Sequence, residues 1–81
     1  MVSVIFLTRP GCHLCEEALP IARRVARLTH QELDVVNIDG DDELVVEFGL
    51  RVPVVTTDDG RVLAEGHIGL GSLFKEAILR R

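Results

Sequence analysis

Apolar and polar positions along the chain fall into blocks whose period switches between that of a strand and that of a helix. The run VSVIFL (2–7) is apolar on both faces, the pattern of a strand covered on both sides of a sheet. Leu14, Ala18, Ile21, Val25 and Leu28 then recur at helical spacing and predict a helix with one apolar stripe, leaving Arg23, Arg24 and Arg27 largely outside it. LDVVNID (33–39), rich in β-branched residues, reads as a second strand. Asp39-Gly40-Asp41-Asp42 predicts a turn and an acidic helix start, followed by a short helix carrying Leu44, Val45 and Phe48 and stopped at Gly49. PVVTT and RVLAEG flank Asp58-Asp59-Gly60, whose Asp-Gly pair signals a hairpin. Leu70, Leu73, Phe74, Ala77 and Ile78 predict a last helix with Gly71 or Ser72 near its cap. The predicted order is βαβαββα, without internal repeat, linker or low-complexity segment.

Composition narrows the reading. With 81 residues, one domain over 1–81 is expected. Apolar residues make up 47% and aromatics only 4%, so a small single core has to be built from Val, Leu, Ile and Ala. Thirteen acidic residues against nine basic ones give a formal net charge of −4, and no Lys/Arg run exceeds two residues. That pattern argues against a nucleic-acid surface, which needs concentrated basic charge. The opening MVSVIFL gives way to Thr8-Arg9-Pro10, too soon for a membrane span and without the basic flank of a signal peptide. No membrane partner is expected, and the cytoplasm is the expected location. Stable structural disulfides are uncommon there, and a bridge between residues three apart closes too small a loop to stabilise much.

The chemistry concentrates in TRPGCHLC (8–15), which holds both cysteines of the chain. The first strand ends near Leu7 and the first helix begins near His13. Cys12 then sits at the helix N-terminus, with Cys15 about one turn further on along the same face. Unpaired backbone N–H groups and the positive end of the helix dipole favour a thiolate at Cys12. Such positions lower a cysteine pKa from about 8.5 to roughly 3.5–7.5. Cys15, more covered, is the resolving thiol. His13, beside Cys12, either supplies positive charge to that thiolate or faces solvent. Glu16 and Glu17 read as ordinary helix-start acids, and His30 and His67 as surface residues without ligand spacing. The acidic run from Asp39 to Glu43 lacks the spacing of a calcium loop. Val52-Pro53 opens the third strand, where a missing N–H is tolerated. X-Pro bonds are the ones that adopt the cis form, and the spacing by itself leaves cis and trans open.

Together these features resemble the thioredoxin fold in its small glutaredoxin-like form. The resemblance covers nearly the whole chain: the βαβαββα order, the C-x-x-C opening the first helix, and a proline opening the third strand. TRPGCHLCEEA looks most like small glutaredoxin-like bacterial domains. The resemblance implies an α/β fold with a four-stranded mixed sheet flanked by helices. It also implies that Pro53 is cis and lies against the Cys12–Cys15 disulfide, with Val52 offering its backbone N–H and C=O to substrate. Pro20 matches the helix-kinking proline of thioredoxins. Arg9 matches the basic residue, three before the first cysteine, with which glutaredoxins bind glutathione. The departures are specific. His13-Leu14 replaces the Pro-Tyr of glutaredoxins and the Gly-Pro of thioredoxins. Phe6 stands where thioredoxins bury an Asp, Arg51 where glutaredoxins have a Thr. HIGLGSL (67–73) keeps Gly69 and Gly71 but lacks the acid of the glutathione-binding turn.

The expected activity is therefore that of a thiol–disulfide oxidoreductase acting on protein or glutathione mixed disulfides. Cys12 and Cys15 are catalytic, and Arg9, Val52 and Pro53 contact substrate. No tightly bound cofactor and no metal are expected, with glutathione as a co-substrate. The expected partners are a disulfide-containing protein or glutathione, and a reductase or glutathione as electron donor, with the chain acting as a monomer. Two rival readings use the same residues. One is a metal or iron–sulfur binding module. Small metallochaperones, however, run βαββαβ, and two cysteines fall short of the four ligands of a structural zinc site. The other is a redox-inert binding domain that keeps the fold.

Overall fold

The computed structural model describes residues 3–80. The elements are β1 (Ser3–Thr8), α1 (His13–Leu28), β2 (Glu32–Asn37), a 3₁₀ turn (Ile38–Gly40), α2 (Asp42–Phe48), β3 (Val54–Thr57), β4 (Val62–Glu65) and α3 (Leu70–Arg80). This is the predicted order. Val2, the predicted start of the first strand, and the two ends of the predicted domain lie outside the described residues. The second strand stops earlier than expected. Asn37 accepts from the Asp39 N–H through its side chain and turns the chain into the 3₁₀ segment, so Ile38 and Asp39 leave the sheet.

The four strands form one mixed sheet in the order β2-β1-β3-β4. β1 runs parallel to β2, through the α1 crossover, and antiparallel to β3, which pairs antiparallel with β4. Side chains of successive strand residues point to opposite faces. Val4, Phe6 and Val55 therefore face α1 and α3, where they pack with Ala18, Ala22, Val25, Leu73 and Ala77. Ile5, Leu7 and Val54 face α2, where they pack with Phe48, Leu44 and Val45. Phe6 and Val55, partners in register at the sheet centre, are both fully buried. Both faces of β1 are covered, as its unbroken apolar run required.

The buried face of α1 keeps Ala18 and Val25 of the predicted stripe, with Ile21 partly buried against the core, but not its two ends. It consists of Cys15, Ala18, Ala22, Val25 and Ala26, while Leu14 is 40% and Leu28 53% exposed. Small side chains let the helix lie close to the sheet, and the contact face rotates toward the alanines. α1 runs unbroken through Pro20, whose missing N–H leaves the Glu16 carbonyl without its usual intrahelical partner. It ends without a glycine. His30 adopts φ 55°, the Gln31 N–H donates to Ala26 O at 2.8 Å and the His30 N–H to Arg27 O at 3.3 Å. That is the double reverse bond that closes many helices, with histidine in the position glycine usually takes.

The remaining turns differ in detail from expectation. Gly49 ends α2 with φ −55°, not in the left-handed region. Its lack of a side chain matters for space, because a Cβ would stand 2.5 Å from the Val45 carbonyl oxygen. In the β3–β4 hairpin Gly60 alone takes a positive φ, of 90°, so the connection is a longer turn closed by a left-handed glycine. The Thr57 hydroxyl there donates to the Asp59 carboxylate and holds its carboxyl below the ordinary range. α3 begins at Leu70 with the Leu73 N–H on Gly69 O, which places Gly71 and Ser72 inside the first turn instead of at the cap.

Two stability measurements follow. Ala22→Leu, which overfills the α1–sheet contact, should cost about 1–3 kcal/mol, whereas Leu28→Ala on the exposed side should stay within about 0.5 kcal/mol. Urea unfolding of both variants distinguishes the observed face from the predicted one. His30→Gly should raise stability by up to about 1 kcal/mol by removing a side chain from a left-handed residue, read as a higher urea midpoint at unchanged slope.

Candidate active site

The antiparallel register of β1 and β3 sets Leu7 opposite Val54. The loop leaving β1 and the segment entering β3 therefore meet at one end of the sheet. Gly11, at φ 76°, turns the loop into α1, a backbone state that favours glycine. Cys12 is the N-cap residue of α1, and its Sγ accepts the Cys15 N–H at 3.1 Å. Its carbonyl accepts the Glu16 N–H at 3.1 Å.

Cys12 and Cys15 are joined as a disulfide with Cα atoms 5.2 Å apart, well inside the range a bridge spans. Cys15 is only 3% exposed, and Cys12 is half-buried, so Cys12 presents the accessible sulfur. The N-cap contact and the helix dipole both favour negative charge on that sulfur.

The Val52–Pro53 peptide bond is cis, Pro53 is fully buried, and the Val52 carbonyl oxygen lies 4.0 Å from Cys12 Sγ. The Pro53 carbonyl is tied to the Gly66 N–H at 2.9 Å. The expected double offer from Val52 is corrected by the structure. Its N–H already donates to Phe48 O at 3.1 Å, because the chain leaves α2 through a tight turn, and only its carbonyl stays open. Arg51, the residue before it, is already engaged. Its Nε donates to Glu65 at 2.7 Å, and its guanidinium lies 4.9 Å from the Phe48 ring centroid.

Arg9 and His13 both have partners of their own. Arg9 lines the cleft of about 300 Å³ that Cys12, Cys15, Pro10, Leu19 and Asn37 help to form. Its guanidinium is already engaged, with Nε on Asp39 Oδ1 at 2.7 Å and Nη1 on the Gly49 carbonyl at 3.4 Å. One side chain thus ties the active-site loop to the turn after β2 and to the C-terminal end of α2. Sequence reasoning missed Asp39 in this role. The signal was the parallel pairing itself: Thr8 lies opposite Asn37, so residues just past the two strand ends become neighbours. His13 is 83% exposed and pairs with Glu17 at 2.7 Å along its own helix, the solvent-facing alternative. Among the described residues, no group of three or more His, Cys, Asp or Glu side chains is gathered to hold a metal ion, and no helix is long and apolar enough to cross a membrane.

Comparison with known proteins follows the same lines. Residues 3–80 match the family described as Glutaredoxin-like domain (DUF836). Protein Ne2328 from Nitrosomonas europaea has a similar structure at TM-score 0.74 and 30% identity, covering 89% of this chain and 86% of that one. Protein XcR50 from X. campestris is similar at TM-score 0.69 and 27% identity, covering 90% and 92%. A mutant thioredoxin from Halobacterium salinarum shares the fold at TM-score 0.63 and 22% identity, covering 96% of this chain and 70% of its own. No curated protein matches the chain.

The N-cap position makes one property measurable. In a Cys15→Ser variant, the Cys12 thiol should titrate below the free value of about 8.5. Thiolate absorbance against pH reads this, and a pKa at or above that value would remove the activation argument.

Proposed function

The chain belongs to the glutaredoxin-like domain family, and on that premise we propose that it is a dithiol–disulfide oxidoreductase. The thioredoxin fold with a C-x-x-C pair supports a redox role. The observation that carries the finer reading is the asymmetry of the two sulfurs: an accessible, N-capping Cys12 backed by a buried Cys15 within bridging distance.

In the reduced protein the Cys12 thiolate attacks one sulfur of a substrate disulfide. The substrate S–S bond breaks, a mixed disulfide forms on Cys12, and the first substrate thiolate leaves and takes up a proton from water. Cys15 then loses its proton and attacks Cys12 Sγ. This expels the second substrate thiolate and leaves the Cys12–Cys15 bridge. Two electrons pass from protein to substrate. A dithiol, or two monothiols such as glutathione, returns them in the reverse sequence. The helix N-terminus stabilises Cys12 both as attacking and as leaving thiolate. The open Val52 carbonyl beside Cys12 accepts a hydrogen bond from a substrate backbone N–H, and Pro53 holds that carbonyl in place. We place the activity in the cytoplasm, where a reversible pair has a use that a permanent bridge lacks, and assign it to the monomer, because both sulfurs come from one chain.

The test is a stoichiometric turnover of the pre-reduced protein with 2-hydroxyethyl disulfide. The parent chain should release two equivalents of 2-mercaptoethanol and end in the bridged form. Cys15→Ser should stop at a mixed disulfide on Cys12, visible as a mass increase of one mercaptoethanol unit. Cys12→Ser should fall to the background rate. Full turnover in either variant, or attack through Cys15, would overturn the assignment.

A further inference from the structure

We propose that the cleft beside the disulfide selects substrates by charge: it takes disulfides with neutral or cationic flanks and disfavours anionic ones, and Asp39 is the positioning residue that sets this preference. The proposal rests on the oxidoreductase reading above and names the substrate class of the same site.

Two charged side chains line the cleft, Arg9 and Glu16. The cationic side chain that a substrate carboxylate would meet in the cleft is Arg9. That guanidinium is matched by the Asp39 carboxylate at 2.7 Å, brought in from outside the cleft, and by the Gly49 carbonyl at the C-terminal, negative end of α2. An incoming anion must therefore share Arg9 with a full negative charge. Glu16, exposed on the first turn of α1, has no cationic partner within 4.0 Å among the described residues. The charges of Arg9, Asp39 and Glu16 together leave the cleft negative. The backbone N–H groups near the sulfur are also spent, since the Val52 N–H is bonded to Phe48 O and the Cys15 N–H to Cys12 Sγ. What faces the substrate is an acceptor, the Val52 carbonyl, 4.0 Å from Cys12 Sγ. The side-chain charge around the cleft and the Val52 carbonyl thus favour donors and positive charge on the substrate's flanks, while the helix N-terminus acts on the sulfur of Cys12 itself. Protein disulfides flanked by Lys or Arg fit this chemistry. Glutathione disulfide, with four carboxylates against two ammonium groups, falls in the disfavoured class.

The test compares three symmetric disulfides of similar length: cystamine (dicationic), 2-hydroxyethyl disulfide (neutral) and 3,3′-dithiodipropionate (dianionic). Pre-reduced protein is mixed with each in single turnover, with free 2-mercaptoethanol as the reference thiol. At low ionic strength the ratio of cationic to anionic rates should exceed that of the free thiol by about tenfold, and 1 M salt should collapse the excess. Asp39→Asn should lower the ratio about threefold, and so should Glu16→Gln. A merely structural role for Asp39 would change all three rates together and leave the ratio unmoved. A ratio equal to that of the free thiol overturns the proposal, as does one that neither variant nor salt shifts. If Asp39→Asn does not fold, Glu16→Gln and the salt dependence of the unaltered chain still decide. Reduction of all three disulfides without charge preference refutes only the selectivity. Failure to reduce any of them faster than the free thiol brings down the oxidoreductase reading as well.

Discussion

The C-x-x-C site depends on the pairing of β1 with β3. Phe6 faces Val55 and Leu7 faces Val54 at the sheet centre, and the burial of these side chains on two faces holds that register. A slip of one residue would turn every side chain to the opposite face and strip both cores at once. Because the strands are antiparallel, the exit of β1 and the entry of β3 lie at the same end of the sheet. Cys12 and the Val52 carbonyl meet there, although forty residues separate them along the chain.

Around that meeting point the chain uses few polar contacts, and each joins separate elements. Arg9 ties the loop before α1 to Asp39 and to Gly49. Arg51 ties the segment before Pro53 to Glu65 of β4 and rests on Phe48. Partly exposed ion pairs of this kind contribute only about 0.2–1 kcal/mol each. Their importance is in position and charge. They fix the loop before Cys12 and the segment before Pro53, and each guanidinium is matched by a carboxylate. The reactive sulfur itself is served by main-chain groups and a helix end, which do not vary with the side chains around them.

Much of this was legible in the sequence. The βαβαββα order followed from apolar periodicity and turn residues. The place of Cys12 at a helix start followed from the boundary between the run ending at Leu7 and the helix opening at His13. The cis bond at Pro53 came only through the resemblance to the thioredoxin fold, since a strand-opening proline is compatible with either isomer. The stripe Leu14–Leu28 was right in its middle, at Ala18 and Val25, and misled at its two leucine ends, because spacing marks a helix better than it marks the side of the helix that finds room against a sheet. Alanines, weak in any hydropathy pattern, carry that contact. The stripe stops at Leu28, where α1 ends, but the form of the closing turn was hidden because histidine took the left-handed position where glycine would have announced it.

Local pattern and chemistry thus determined the elements, their order and the placing of the C-x-x-C pair at a helix start, because each depends on residues close together in the chain. The tertiary structure alone decided who occupies whom. Asp39 reaches Arg9 because β1 and β2 are parallel and end level. Phe48 takes the Val52 N–H because α2 stops one tight turn before β3. His13 turns to Glu17 because the first turn of α1 faces solvent. These are matters of distance between groups, which a sequence states only after its strands have been paired.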